Sequence, residues 1–224
     1  MYEVARQRQE EWRMDEDMHE KRQKAVAKKG ENLAWEEVRT EHIIQDEWID
    51  FRRSDFRFPD GKVFGPFYSY SRSDYVVVVA TDGNGDYLCV RQFRQGIKEV
   101  TTEFPAGGIE QKDGADKGKH GKECNAEMEE VALEAARREL LEETGYESEE
   151  WKHLLSIPSY ATMADNYVHI FAAANCRKVG KQCLDETEFL KVGKYSAIEL
   201  ERMIYDGNFP QAVHIMAWLL AQRK

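Results

Sequence analysis

The sequence predicts an α/β (α+β) sandwich that is preceded by a small antiparallel β subdomain. Residues 75–80 (YVVVVA) and 168–174 (VHIFAAA) are near-continuous apolar runs that are typical of buried strands. Between them, residues 126–144 are rich in alanine and lack glycine, which favours a helix. Residues 34–70 contain short apolar runs separated by polar residues, a pattern typical of a β-meander. Strands on both sides of a central helix favour layers of helix and sheet.

The remaining elements follow in chain order. The sequence DGNG at residues 82–85 predicts a tight turn that joins the first buried strand to the run YLCV at residues 87–90. Gly145 stands where a helix commonly ends. Two further helices are expected near residues 197–205 and 211–221. We therefore predict three segments: a charged helical extension at residues 1–33, a β subdomain at 34–74 and a catalytic domain at 75–224.

Composition excludes several classes of protein. The 224 residues include 42 acidic and 32 basic side chains, and the formal charge of −10 disfavours binding to a nucleic acid polymer. No apolar run is long enough to span a membrane, and the N-terminus lacks the apolar core of a signal peptide. The four cysteines form no CxxC pair, so we expect reduced thiols and a cytoplasmic location.

The chemistry concentrates on the central helix. Residues three and four apart share a helical face, so Glu139, Glu142 and Glu143 lie together beside an apolar stripe of Ala132, Ala136 and Leu140. Three clustered carboxylates repel one another unless a hard cation such as Mg²⁺ binds between them. The alternative is a solvated acidic helix face.

The spacing of these residues resembles the Nudix box. Glu130 is followed after seven residues by Arg138-Glu139-Leu140, after one more by a pair of glutamates, and after one more by Gly145. Residues 104–110 (FPAGGIE) resemble the loop that precedes the box helix, with Gly107 as the box glycine. The box has five residues between its glycine and its first glutamate, whereas here 22 residues separate Gly107 from Glu130. The surplus, rich in glycine and lysine at residues 111–122, predicts an exposed loop.

Sequences outside the box are similar to the ADP-ribose pyrophosphatase branch of the Nudix family. These are RQFR at residues 91–94, EFPAG at 103–107 and LDETEF at 184–189. The resemblance implies the Nudix α/β/α sandwich and an N-terminal β subdomain that forms a homodimer.

The resemblance also implies a metal site and a catalytic base. It implies Mg²⁺ or Mn²⁺ as the cofactor and Arg138 as the residue that orients the glutamates. The implied metal ligands are the carbonyl of Ala106 and the carboxylates of Glu139, Glu142 and Glu143, with Glu142 either binding the metal directly or supporting one of its ligands. The general base would come from the 184–189 stretch, with Glu186 preferred and Glu188 as the alternative.

Three residues are candidates for binding substrate. Arg91 and Arg94 are expected either to bind the diphosphate or a ribose-side phosphate, or to form surface salt bridges. Glu103 is expected either to bind substrate or to pair with Arg138. The loop at residues 157–166 lacks the glycine of the Ser-Pro-Gly sequence that is frequent in this branch, which leaves open a distal group other than that of ADP-ribose.

Three functions follow from these observations. The first is hydrolysis of the diphosphate linkage of ADP-ribose or a nucleotide sugar. The second is hydrolysis of another dinucleotide or of a dinucleoside polyphosphate. The third is a Nudix-fold module that binds nucleotides without catalysis, which the intact acidic helix disfavours.

Overall fold

The computed structural model describes residues 32–113 and 126–223. Nearly all of the charged N-terminal segment, and the part of the predicted loop after residue 113, therefore lie outside the described residues. The described residues divide into two compact units, residues 32–41 with 54–67, and residues 42–53 with 68–113 and 126–223.

Three strands form a small sheet in the order β1-β2-β3: β1 (Glu36–Gln45), β2 (Asp50–Arg57) and β3 (Val63–Ser71). In the first unit, the Trp35 ring lies 4.4 Å from the ring centroid of Phe58 and 5.3 Å from that of Phe67. A turn joins β2 to β3, in which Gly61 has a φ of 86° and its N–H donates to the carbonyl of Phe58. All three strands fall within residues 34–74.

The second unit contains an eight-stranded mixed sheet. The strands are β4 (Tyr75–Asp82), β5 (Tyr87–Arg94), β6 (Glu99–Glu103), β7 (Ala106–Gly108), β8 (Tyr146–Glu147), β9 (Glu150–Pro158), β10 (Tyr167–Lys178) and β11 (Leu190–Tyr195). The main path of the sheet runs β11-β5-β4-β10-β8, and β6 pairs with β5, β7 with β4, and β9 with β10. Strand β10 is parallel to β4 and antiparallel to β9.

Helices cover both faces of this sheet: α1 (Ala126–Thr144) on one, α2 (Ala197–Tyr205) and α3 (Ala212–Ala221) on the other. Strand β4 is buried on both sides, because Val76 and Val78 pack in the α1 cluster while Val77 and Val79 pack with α2 and α3. This explains its continuous apolar run. The predicted stripe of Ala132, Ala136 and Leu140 is fully buried in the α1 cluster. The prediction of an α/β/α sandwich is confirmed.

Two predicted glycine positions set the limits of these elements. Gly85 has a φ of 85° in the β4–β5 turn, and Gly145 has a φ of 72° immediately after α1. A Cβ on Gly145 would lie 2.5 Å from the carbonyl oxygen of Gly180, so a side chain there is excluded on two counts. Among the described residues, no helix is both long and apolar enough to cross a membrane.

Candidate active site

Helix α1 carries Arg138, Glu139, Glu142 and Glu143 toward the loop that joins β6 to β7. Glu139 is 6% exposed and Glu143 is 2% exposed, whereas the Glu142 side chain is about one-third exposed. These two carboxylates are buried, so they do not form a solvated acidic face. Because burying an unpaired charge is unfavourable, each needs a partner. The alternative that the sequence left open is therefore excluded for Glu139 and Glu143.

The Arg138 guanidinium binds three carboxylates at once. Its Nη1 donates to Glu139 Oε1 at 2.7 Å and to Glu142 Oε2 at 3.0 Å. Its Nε and Nη2 donate to the two oxygens of Asp113 at 2.8 and 2.9 Å, and Nη2 also donates to the Gly108 carbonyl. A planar guanidinium with these partners can hold the two glutamates in fixed orientations.

Asp113 is a site residue that the sequence interpretation missed. It ends a short 3-10 turn (Gln111–Asp113), and its side chain is 3% exposed. The spacing from the box glycine could have found it. Five residues separate Gly107 from Asp113, which is the spacing that the box has between its glycine and its first glutamate. Glu130, which has the box spacing when the count starts from Arg138, is exposed. Asp113 therefore belongs to the site and not to the exposed loop predicted from residue 111.

The backbone of strand β7 lies against the two buried glutamates. Ala106 and Gly107 pair with Val77 and Val76 of β4, and the Ala106 N–H donates to Glu143 Oε2 at 3.0 Å. A Cβ on Gly107 would lie 2.0 Å from Glu139 Oε1. A side chain at residue 107 would therefore displace the Glu139 carboxylate from its present position.

Negative charge is concentrated around the carboxylates of Glu139 and Glu143 on helix α1. Burial raises the pKa of Glu139 to about 7, an effect that Arg138 opposes and that the charges of Glu142 and Glu188 reinforce. Burial, and then the charge of Glu139, raise the pKa of Glu143 well above its usual range, and Glu188 and Glu103 add to this. These groups favour either a proton or a cation between them.

The segment after β10 binds the C-terminal end of α1. Gln182 Nε2 donates to the Glu143 carbonyl at 2.7 Å, and the Cys183 N–H donates to the Glu142 carbonyl at 2.9 Å. The following loop brings half-buried Glu188 within electrostatic reach of Glu139 and Glu143, while Glu186 is exposed. The structure thus brings the alternative residue, Glu188, to the helix carboxylates.

Glu103 pairs with Arg94 rather than with Arg138. The Glu103 carboxylate is fully buried, forms an ion pair with Arg94 and accepts a hydrogen bond from Gln92 Nε2 at 2.5 Å. Burial raises the pKa of Glu103, while its bonds to Arg94 oppose the increase. The Arg94 side chain remains 37% exposed. Arg91 is exposed on β5, opposite Thr102.

The residues present fit a hard divalent cation. Within residues 32–113 and 126–223, no three acidic, histidine or cysteine side chains already converge on one point. Instead, Glu139 is oriented by Arg138 and Glu143 by the Ala106 amide, which reduces the repulsion between them. The atoms available to bind a metal are carboxylate oxygens and nearby backbone carbonyl oxygens, and Mg²⁺ prefers oxygen ligands.

Comparison with known proteins defines the class. The NUDIX domain family matches residues 71–219, which is more than half of the chain. The chain therefore belongs to the NUDIX family. The predicted kind of enzyme, a Nudix pyrophosphohydrolase that resembles the ADP-ribose pyrophosphatases, is confirmed.

Three proteins of similar sequence and one solved structure show which NUDIX proteins this chain resembles. An ADP-ribose pyrophosphatase of Bacillus subtilis is 29% identical over 185 residues, covering 80% of this chain and 90% of the relative. One of Mycobacterium tuberculosis is 26% identical over 182 residues, covering 81% and 80%. A methanol dehydrogenase activator of Bacillus methanolicus is 26% identical over 185 residues, covering 80% and 90%. A crystal structure of an ADP compounds hydrolase has the same fold, with a TM-score of 0.66 at 17% identity over 86% of this chain and 95% of that one.

Proposed function

We propose that this chain hydrolyses the diphosphate bond of ADP-ribose or a related nucleotide sugar by metal-assisted attack of water. The observation that carries the proposal is the pair of buried carboxylates, Glu139 and Glu143, held by Arg138 and by the β7 backbone. Two similar proteins named ADP-ribose pyrophosphatases, each matched over about four-fifths of this chain, support the choice of substrate.

The metal site consists of Glu139, Glu142, Glu143 and the carbonyl of Ala106, with Mg²⁺ as the ion and Mn²⁺ as the alternative. A divalent cation bound there neutralises charge on the nonbridging phosphate oxygens. Arg138 keeps Glu139 and Glu142 in fixed orientations, and Gly107 leaves the space that the Glu139 carboxylate needs.

Glu188 is a better candidate than Glu186 for the base that accepts the proton of the attacking water. Its charge acts on both Glu139 and Glu143, so its carboxylate lies within electrostatic reach of two of the proposed metal ligands. Glu186 stays the second candidate, because its exposed position on the same loop allows it to approach a bound substrate.

Arg94 binds substrate phosphate, since its side chain is partly exposed while its ion pair with buried Glu103 holds it in place. Arg91 is exposed on the same strand and contributes positive charge. A site built in this way selects a small diphosphate over a polymer, because the overall charge of −10 repels a nucleic acid.

The protein acts as a cytoplasmic homodimer formed through the β subdomain at residues 34–74. Several large apolar side chains in this segment are exposed: Trp35, Ile43, Ile44, Trp48, Val63 and Phe64. Exposed apolar clusters commonly mark interfaces. Light scattering after gel filtration tests this, since the chain mass is 26.1 kDa and a dimer has twice that value.

A substrate panel tests the activity. Hydrolysis of ADP-ribose yields two phosphate monoesters, from which an added phosphatase releases inorganic phosphate. We expect ADP-ribose or a nucleotide sugar to give the highest kcat/KM with Mg²⁺. Preference for a dinucleoside polyphosphate would support the second predicted function, and binding without turnover would support the third.

A further inference from the structure

A buried histidine on the far side of the sheet holds the backbone of the active-site loop. His214 lies near the start of α3 and is 3% exposed. Its Nδ1 accepts a hydrogen bond from the Phe104 N–H at 3.2 Å. Its ring packs beside the rings of Phe104 and Phe209, with centroid distances of 6.4 and 6.3 Å, and those two rings lie 5.2 Å from each other.

The loop that His214 holds is anchored at each of three consecutive residues. The Phe104 amide donates to His214, the Pro105 carbonyl accepts from the Val78 N–H, and the Ala106 amide donates to Glu143 Oε2. Because proline has no N–H, Phe104 and Ala106 supply the only two amide donors of this segment. One amide is bound from α3 and the other from α1.

We infer that His214 is a positioning residue, which fixes the loop between Glu103 and Ala106 so that the Ala106 backbone and Glu143 keep the relative placement that metal binding needs. The inference rests on the proposed function and extends it to a residue that touches neither metal nor substrate. A phenylalanine or leucine would fill the same apolar space, but it would leave the buried Phe104 N–H without an acceptor.

The imidazole is suited to a permanent acceptor role. Burial, together with the nearby charge of Arg94, lowers the pKa of His214 to about 3. The ring is therefore neutral at neutral pH, and Nδ1 accepts while Nε2 carries the proton.

Two substitutions separate the hydrogen bond from packing. His214→Leu removes the acceptor and retains most of the volume, whereas His214→Asn places an amide oxygen close to the Nδ1 position. Leu200→Ala, in the same apolar cluster but on α2, controls for a general loss of stability. The measurements are kcat and KM for ADP-ribose with Mg²⁺, Mn²⁺ affinity by electron paramagnetic resonance, and thermal stability.

We expect His214→Leu to lower kcat on the order of 10- to 100-fold and to weaken Mn²⁺ binding, with KM little changed, because a small misplacement of a catalytic group has effects of this size. His214→Asn should recover most of both losses, and Leu200→Ala should change stability alone. Wild-type kcat and Mn²⁺ affinity in His214→Leu would overturn the inference. So would equal losses in the Leu and Asn variants.

If His214→Leu does not fold, His214→Gln replaces it, because the longer side chain carries its amide beyond the Nδ1 position. Near-wild-type kcat and Mn²⁺ affinity in His214→Asn, together with losses of both in His214→Gln, support the inference. Equal kcat and equal Mn²⁺ affinity in the two variants contradict it. If wild-type protein does not hydrolyse ADP-ribose, the proposed function fails, but the Mn²⁺ measurement still decides the role of His214.

Discussion

Arg138 and Asp113 form a two-point ion pair, with nitrogen–oxygen distances of 2.8 and 2.9 Å. The same guanidinium holds Glu139 and Glu142, so the pair links a residue before the surplus segment of the sequence to the acidic helix after it. The surplus thus begins after Asp113. The glycine part and the helix part of the motif remain joined in space through Arg138.

Replacing Asp113 tests this link. We expect Asp113→Asn to reduce stability by about 3 kcal/mol, the lower end for a broken buried pair, because Arg138 keeps two other carboxylates. Activity should fall as well, since Glu139 and Glu142 lose their fixed orientation, and Asp113→Glu should recover part of it. Denaturant unfolding and kcat measure the two effects.

Glu130→Gln is the matched control for Asp113→Asn, because exposed Glu130 has the alternative box spacing. We expect it to behave as wild type in both assays. If Glu130→Gln were the damaging change and Asp113→Asn the neutral one, Asp113 would not be the residue that holds Arg138.

Two adjacent glycines give a second test. A Cβ on Gly107 would lie 2.0 Å from Glu139 Oε1, whereas a Cβ on Gly108 would have no heavy atom within 4 Å. We expect Gly107→Ala to lower kcat on the order of 100-fold and to weaken Mn²⁺ binding, because Glu139 must move. Gly108→Ala should retain both properties. Equal effects of the two substitutions would show that the close approach does not matter.

The two loop glutamates can be separated kinetically. We expect Glu188→Gln to lower kcat by roughly 100- to 10,000-fold, as loss of a general base does, and to leave substrate KM nearly unchanged. Glu186→Gln should have a smaller effect. The reverse order in the kcat values would return the role to Glu186, as the sequence alone preferred.

The fold and the acidic helix could be predicted from sequence because both depend on local spacing. The continuous apolar run of β4 is typical of a strand that is buried on both faces. The stripe of Ala132, Ala136 and Leu140 has the three- to four-residue spacing of one helical face. Asp113 and His214 could not be assigned in the same way. Each acts through a contact with a residue that is distant in the chain. Asp113 binds Arg138, which lies 25 residues away, and His214 binds Phe104, which lies 110 residues away.

Which of Glu186 and Glu188 lies near the helix carboxylates depends on the path of the loop before β11. A loop has no sequence periodicity from which its path could be predicted. Both residues lie in the same stretch of the sequence, and both are acidic. Hydrogen bonds from Gln182 and Cys183 to the end of α1 set the path that brings Glu188 toward the helix.

The charge of Glu143 should reduce the stability of the metal-free protein. Burial and Glu139 raise the pKa of Glu143, so the folded protein retains a proton that the unfolded chain releases near pH 4.3, roughly the usual glutamate value. Between that pH and the raised value, stability decreases as pH rises. Without metal, Glu143→Gln should therefore unfold at a higher temperature than wild type at pH 8, with a smaller difference at pH 5. A Glu143→Gln variant that is less stable than wild type at both pH values would contradict this.

The most direct test of the account is phosphatase-coupled hydrolysis of ADP-ribose by wild-type protein and by Glu143→Gln at saturating Mg²⁺. We predict turnover by wild type that chelation abolishes and that Mg²⁺ restores. We predict a loss on the order of 100- to 1000-fold in the variant, which removes one charge from the site and keeps its shape. Comparable turnover by the two proteins, or turnover by wild type that persists without any divalent cation, would contradict the assignment of Glu143 and its neighbours as the metal-binding catalytic centre.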